Sequence, residues 1–228
     1  MMKKIILCIL LVASMNTKAQ TVRGFGGFSA YLGSILDRSI FVGVNCGTEF
    51  TIKRFIKPEI EFNFLYVPID DVELRSDQGN TISIFKRSAN SLNFNFCPKI
   101  CLGNNGQNDT YLVILPKYSF SKVAAVGEFT TINHNDVKTT SKETIVDWQH
   151  SLGIGLGLDI SVSTDNTDSL CLNIYYQNVD IGTALNELNH SGSSRFFIKN
   201  SLGAGLNYYF SFKKKTRPKP VKIPEPLK

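Results

Sequence analysis

Glu59 and Glu61, two carboxylates two residues apart, are the first candidates for chemistry in this chain. Paired carboxylates do acid–base work when their surroundings push their proton affinities apart. Lys99 and Lys117 offer them a different use, as partners in one packed salt-bridge network. Three histidines, His134, His150 and His190, are the natural proton shuttles. In His150-Ser151 and His190-Ser191 a hydroxyl neighbours an imidazole, but neither pair has an acidic third member in a recognisable motif. The glycines of Gly153-Ile154-Gly155-Leu156-Gly157 lack both the spacing and the following helix of a phosphate loop. Cys97 and Cys101, four apart, would share one face of a strand at ~13 Å, too far for a disulfide. A link from Cys101 to Cys171 would have to cross the molecule, so the cysteines read mainly as small buried residues. The expectation is therefore no catalytic residue, no metal and no cofactor.

The elements that must position these residues show a period of two. In "HSLGIGLGLDIS", Leu152, Ile154, Leu156, Leu158 and Ile160 alternate with Ser151, Gly153, Gly155, Gly157 and Asp159, the mark of a strand with one apolar face. The same alternation predicts eight strands, at 24–34, 40–53, 56–68, 91–103, 110–123, 147–163, 169–182 and 195–212. Their apolar faces all fall on even numbers, and no segment has a helical period. Short connections at 53–55, 104–109 and 164–168 alternate with long polar ones at 69–90, 124–146 and 183–194. Short turns at one end and long loops at the other predict an all-β protein, an eight-stranded antiparallel up-and-down transmembrane barrel.

The small residues decide which face looks inward. An eight-stranded barrel has room only for side chains inside, so glycine, serine and asparagine belong in the lumen and the leucines toward lipid. Inward aromatics such as Tyr31 and Tyr209 would cover neighbouring glycines. Odd-numbered charges then form a lumen network: Glu49, Glu59, Glu61, Lys99, Lys117, Asp159 and Lys199. Tyr66, Tyr118, Trp148, Tyr176, Tyr208 and Phe212 suit aromatic girdles at the two interfaces. Pro98 and Pro116 fall inside strands, where they are expected to mark bulges.

The ends differ in kind from the middle. Residues 1–19 have the layout of a secretory signal peptide, with Lys3 and Lys4 before an apolar run and Thr17-Lys18-Ala19 as the cleavage site. Residues 213–228 hold seven basic residues, Glu225 and four prolines, which predicts an extended tail in the periplasm with a possible partner there. Residues 21–212 have fifteen basic against eighteen acidic side chains. The basic pI therefore belongs to the tail, and nucleic acid is not expected as a partner.

The last predicted strand, "SLGAGLNYYFSF", resembles the closing strand of Gram-negative outer-membrane barrels. Gly205-x-x-Tyr208-x-Phe210 is similar to the signal read by the barrel-assembly machinery. With "IKPEIEFNFLYVPI", "YLVILPKYSF" and "LCLNIYYQNVDIG", residues 20–212 resemble the eight-stranded outer-membrane barrel proteins of Bacteroidota, the porin-family or PorT-like group. The resemblance implies an outer-membrane monomer with external loops and both mature termini in the periplasm. Its contacts would be outer-membrane lipid and the assembly machinery. The expected role is structural, surface-interacting, or accessory to secretion or envelope assembly. The rival readings are a small pore or transporter, and a lipid-modifying enzyme using His150 or His190.

Overall fold

The computed structural model describes residues 22–33, 40–103, 109–133, 137–163, 167–188 and 198–212. In chain order these form β1 (Val22–Leu32), β2 (Ile40–Phe50), β3 (Ile56–Pro68), β4 (Val72–Arg75), β5 (Thr81–Leu102), β6 (Thr110–Ile132), β7 (Lys138–Ser161), β8 (Ser169–Gln177), α1 (Ile181–Asn186) and β9 (Ser201–Ser211). Every pairing is antiparallel between neighbours, β9 closes onto β1, and β3 pairs with β5. Eight strands thus make a closed up-and-down barrel, and β4 is a short ninth strand on the outer reach of β5. The described signal peptide and tail positions are none: 1–21 and 213–228 lie outside the described residues.

Odd-numbered side chains point inward on all eight wall strands. On β7 the outward Leu152 and Leu156 are 71% and 61% exposed, while Ser151, Gly155 and Asp159 face in. The inward glycines make room for rings. A Cβ on Gly155 would lie 2.6 Å from the Tyr175 ring, and one on Gly47 would lie 2.6 Å from Phe25. Gly203 sits under Tyr31 in the same way. Tyr209 lies tilted against Phe25, with ring centroids 4.9 Å apart. The barrel is filled because its small residues are distributed to match its large ones.

Three strands run well past the others. β6 and β7 pair continuously out to Ile132↔Lys138, and β5 pairs with β6 in one register out to Ser83↔Thr131, so most of 81–90 and 124–146 is sheet rather than the expected loop. The alternation is hidden because sidedness changes along β5 and β6. Nearer the turns the inward residues are polar and the outward ones apolar. On β5 and β6, beyond Ser91 and Ser121, the inward residues include Phe85, Ala89, Val123 and Ala125 beside the buried Arg87, and Lys86, Lys122 and Glu128 face outward. Below this level the outer face is mostly apolar, and above it outward charges appear on β5 and β6.

Helix α1 closes this upper storey. Ile181, Ala184, Leu185 and Leu188 pack with Val67, Phe85, Val123 and Ala125 in one apolar core. Asp180 caps the helix by accepting from the Thr183 amide at 2.9 Å. Gln149 holds the cap to β7, donating to the Asp180 carbonyl and accepting from its amide, both at 2.8 Å. The sequence shows no helix here because six residues are too few for a helical period. β8 and β9 are correspondingly shorter than expected, ending at Gln177 and starting at Ser201. Each hydrogen bond of Gln149 contributes about 1 kcal/mol net. Gln149→Ala is expected to speed hydrogen exchange at Ile181, Gly182 and Thr183 by roughly an order of magnitude, with β1 and β9 amides unchanged in the same measurement.

Pro98 and Pro116 make no bulge. The β5–β6 ladder pairs Phe96 with Tyr118 and Ile100 with Ile114 in one register, and Pro58 stands opposite Pro98 on the other side. The prolines are aligned across β3, β5 and β6, so the donors they lack are missing from one row rather than from three. The described register shift is elsewhere, at Leu74/Arg75.

Candidate functional site

The turn end of the lumen holds a charge cluster to which all eight wall strands contribute. Lys99 on β5 is its hub and is fully buried. Its Nζ lies 2.9 Å from Glu49 Oε2 on β2, 3.2 Å from Glu59 Oε1 on β3 and 2.9 Å from Asp159 Oδ2 on β7. Tyr209 on β9 places its ring 4.0 Å from the same ammonium and donates to Glu59 Oε1 at 2.8 Å. Arg23 on β1 forks onto Glu49, with Nε and Nη2 at 2.8 and 2.7 Å from Oε1. It also donates to Ser169 on β8 at 3.0 Å. Lys57 donates to the Tyr111 hydroxyl on β6 at 2.6 Å, and Tyr111 stands opposite Asp159.

A second pair lies farther in. Lys117 Nζ is 2.8 Å from Glu61 Oε1, which also accepts from Asn95 at 2.6 Å. Lys117 sits 4.3 Å from the Tyr175 ring centroid. Next comes an uncharged polar tier in which Asn93 donates to Asn63 at 3.0 Å and Gln177 donates to Ser119 at 3.1 Å. The apolar core under α1 follows. Along its axis the interior passes from ion network to ion pair to amides and hydroxyls to hydrocarbon.

Four cations (Arg23, Lys57, Lys99, Lys117) face four carboxylates (Glu49, Glu59, Glu61, Asp159), all buried. Each carboxylate has a cation or a hydroxyl or amide donor within reach. Burying so many charges is costly, and close pairing offsets that cost; Lys57 is held by the Tyr111 hydroxyl rather than by a carboxylate, and Asp159 meets Lys99 at ion-pair distance.

Of the sequence-predicted network, Glu49, Glu59, Glu61, Lys99, Lys117 and Asp159 come together. Lys199 does not: it is exposed and precedes β9, so its odd number carries no inward sense outside a strand. Sequence reasoning missed Arg23, one residue below the predicted start of the first strand, and Lys57, which has odd parity within the third. Both were findable by carrying the parity one step farther. Cys97, Cys101 and Cys171 are buried free thiols, whereas Cys46 is exposed on the outer face, where its even number places it.

Tyr66, Tyr176, Tyr208 and Phe212 are outward and near strand ends, but Tyr118 and Trp148 are mid-strand, at the level where sidedness inverts. The expectation of strand ends failed there because β6 and β7 continue. Gly205, Tyr208 and Phe210 all lie on β9; the two rings face out, and Gly205 faces in beside Tyr175. His150 faces outward and shares a hydrogen bond of 2.7 Å between its Nδ1 and the Tyr118 hydroxyl. His134 and His190 lie outside the described residues.

No family model and no curated protein matches this sequence. Solved structures do. Neisserial surface protein A matches with a TM-score of 0.40 and 9% identity over 83% of this chain and 94% of that one. Ail, the attachment invasion locus protein of Yersinia pestis, matches with 0.44 and 11% over 85% and 97%. A major outer membrane protein from Thermus thermophilus matches with 0.46 and 13% over 84% and 99%. The barrel assignment rests on this chain's own strand pairing.

Proposed function

We propose that the chain is an outer-membrane barrel protein with a plugged lumen, acting structurally or in surface interaction, as an accessory to secretion or envelope assembly. The observation that carries this is the inversion of sidedness. Over the band from Thr110 to Phe120 on β6 and His150 to Ile160 on β7, the outside is mostly apolar, and the buried ions Lys117 and Asp159 lie on the inner face among small and aliphatic residues. Ten residues of tilted strand span about 25 Å, the height of an outer-membrane apolar belt. A belt of that size facing water would aggregate.

Within this reading residues 1–19 direct export and the short turns and mature termini face the periplasm. The outer ends of β4 to β7 and the segment after α1 face outside. Tail residues 213–228 are then placed for a periplasmic partner. The PorT-like assignment within Bacteroidota rests on the sequence resemblance at 20–212. Gly205, Tyr208 and Phe210 are the proposed assembly signal.

The filled lumen favours a non-conducting, non-enzymatic role. The full chain is expected to stay with membranes after alkaline carbonate and to give no current steps in a planar bilayer. Recovery as a soluble periplasmic monomer would overturn the membrane reading, and discrete conductance would overturn the plug.

A further inference from the structure

At the inversion level the outer face of β6 and β7 carries a continuous stack of rings ending in a cation. Tyr118 lies on His150 with centroids 5.9 Å apart and planes at 23°. His150 lies against Phe120 at 4.9 Å, and Phe120 on Trp148 at 5.2 Å and 22°. Lys122 Nζ then sits 5.8 Å from the Trp148 ring centroid. The stack follows from register: Phe120 pairs with His150 and Lys122 with Trp148 across the two strands. Trp148 is 58% exposed, and Tyr118 and Phe120 are also open.

Neither lipid tails nor water alone explains this composition. Lys122 is the first outward charge above the apolar residues of β6, and among the described residues it has no carboxylate partner. The carboxylates closest to it in sequence register do not face it. Asp147 is opposite Val123 with inward parity, and Glu128 is opposite Lys142 farther out. An unpartnered ammonium beside an open indole, at the height where acyl chains end, matches an anionic head group whose uncharged ring surfaces can lie on aromatic faces.

We propose that this ladder, Tyr118, Phe120, Trp148, His150 and Lys122, is a binding site for a phosphorylated glycolipid of the outer leaflet. Lys122 meets a phosphate, and His150 is placed to meet a second polar group. Trp148 and Phe120 pack against the sugar and the first acyl carbons. The inference rests on the membrane reading above and gives its girdle a specific occupant.

Trp148 is the one tryptophan in the sequence, so its fluorescence reports on the site directly. The full chain, refolded in neutral detergent, is titrated with phosphorylated lipid A, with dephosphorylated lipid A and with inorganic phosphate. A saturable emission change is expected with phosphorylated lipid A, at an affinity about fivefold or more above that of the dephosphorylated form. Inorganic phosphate should give no change. Lys122→Gln should abolish the preference while leaving the heat-modifiable folded band, and Lys122→Arg should keep it. Equal affinity for the two lipids, or a preference unchanged in Lys122→Gln, would overturn the site. If phosphate alone reproduced the change, an adventitious anion site would replace the lipid. Failure of the membrane reading is separately visible as release of the full chain from membranes by alkaline carbonate, whatever the lipid titration shows.

Discussion

Lys99→Met should be the most damaging single substitution in the chain. It removes the ammonium shared by Glu49, Glu59 and Asp159 and leaves three carboxylates converging on a methyl group. Breaking a buried ion pair by deleting one partner costs about 3–5 kcal/mol. Arg23 still meets Glu49 at 2.7 Å but reaches Asp159 only at 3.8 Å, so it cannot substitute for the missing hub. The variant is expected to lose the heat-modifiable band, or to unfold at a clearly lower urea concentration in lipid micelles. Adding Glu59→Gln to Lys99→Met should recover part of the loss, since it deletes one unpaired charge and keeps the shape. Glu59→Gln alone should cost less than Lys99→Met, because Tyr209 can still donate to the amide oxygen. Wild-type stability in Lys99→Met would show that the cluster carries no weight in the fold.

Leu156→Arg tests the opposite face. Leu156 lies mid-band on β7, between Ile114 on β6 and Ile174 on β8 in register, and is 61% exposed. An arginine at the midplane costs about 2–4 kcal/mol toward lipid, and far less on a surface facing water. Poor assembly is therefore expected, read as loss of the folded band in membranes. Gly155→Leu should fail too, for a packing reason: the new side chain meets the Tyr175 ring and Leu115. Ser161→Arg, at the turn-end mouth, should be tolerated better than either. Normal assembly of both Leu156→Arg and Gly155→Leu would invert the assignment of faces.

The outward apolar band was legible in the sequence because a single rule, even out and odd in, governs it. That rule located Glu49, Glu59, Glu61, Lys99, Lys117 and Asp159 on one inner surface with no contact information. It could not say which carboxylate meets which lysine, since the hub at Lys99 depends on strand stagger around the barrel. It also failed where the medium changes. Beyond Ser121 the parity of β6 persists, but Val123 and Ala125 point inward and Lys122 outward, so a search for apolar even positions ends there. Lys199 failed for the converse reason, parity applied where there is no strand. Helix α1 follows from the closure of the mouth, a demand of the assembled barrel that no local run of residues records.

The prolonged β5–β6–β7 sheet also has a mechanical meaning. Anything that grips its outer tip pulls along strands that are themselves wall staves. The load enters the ladders lengthwise, so many hydrogen bonds from Ile132↔Lys138 down to Thr110↔Ile160 resist together instead of opening singly. Loops of the same length would stretch before passing force on. A tether built as sheet delivers tension to the anchor at once, and the ion cluster, bonded to every stave, distributes it around the ring.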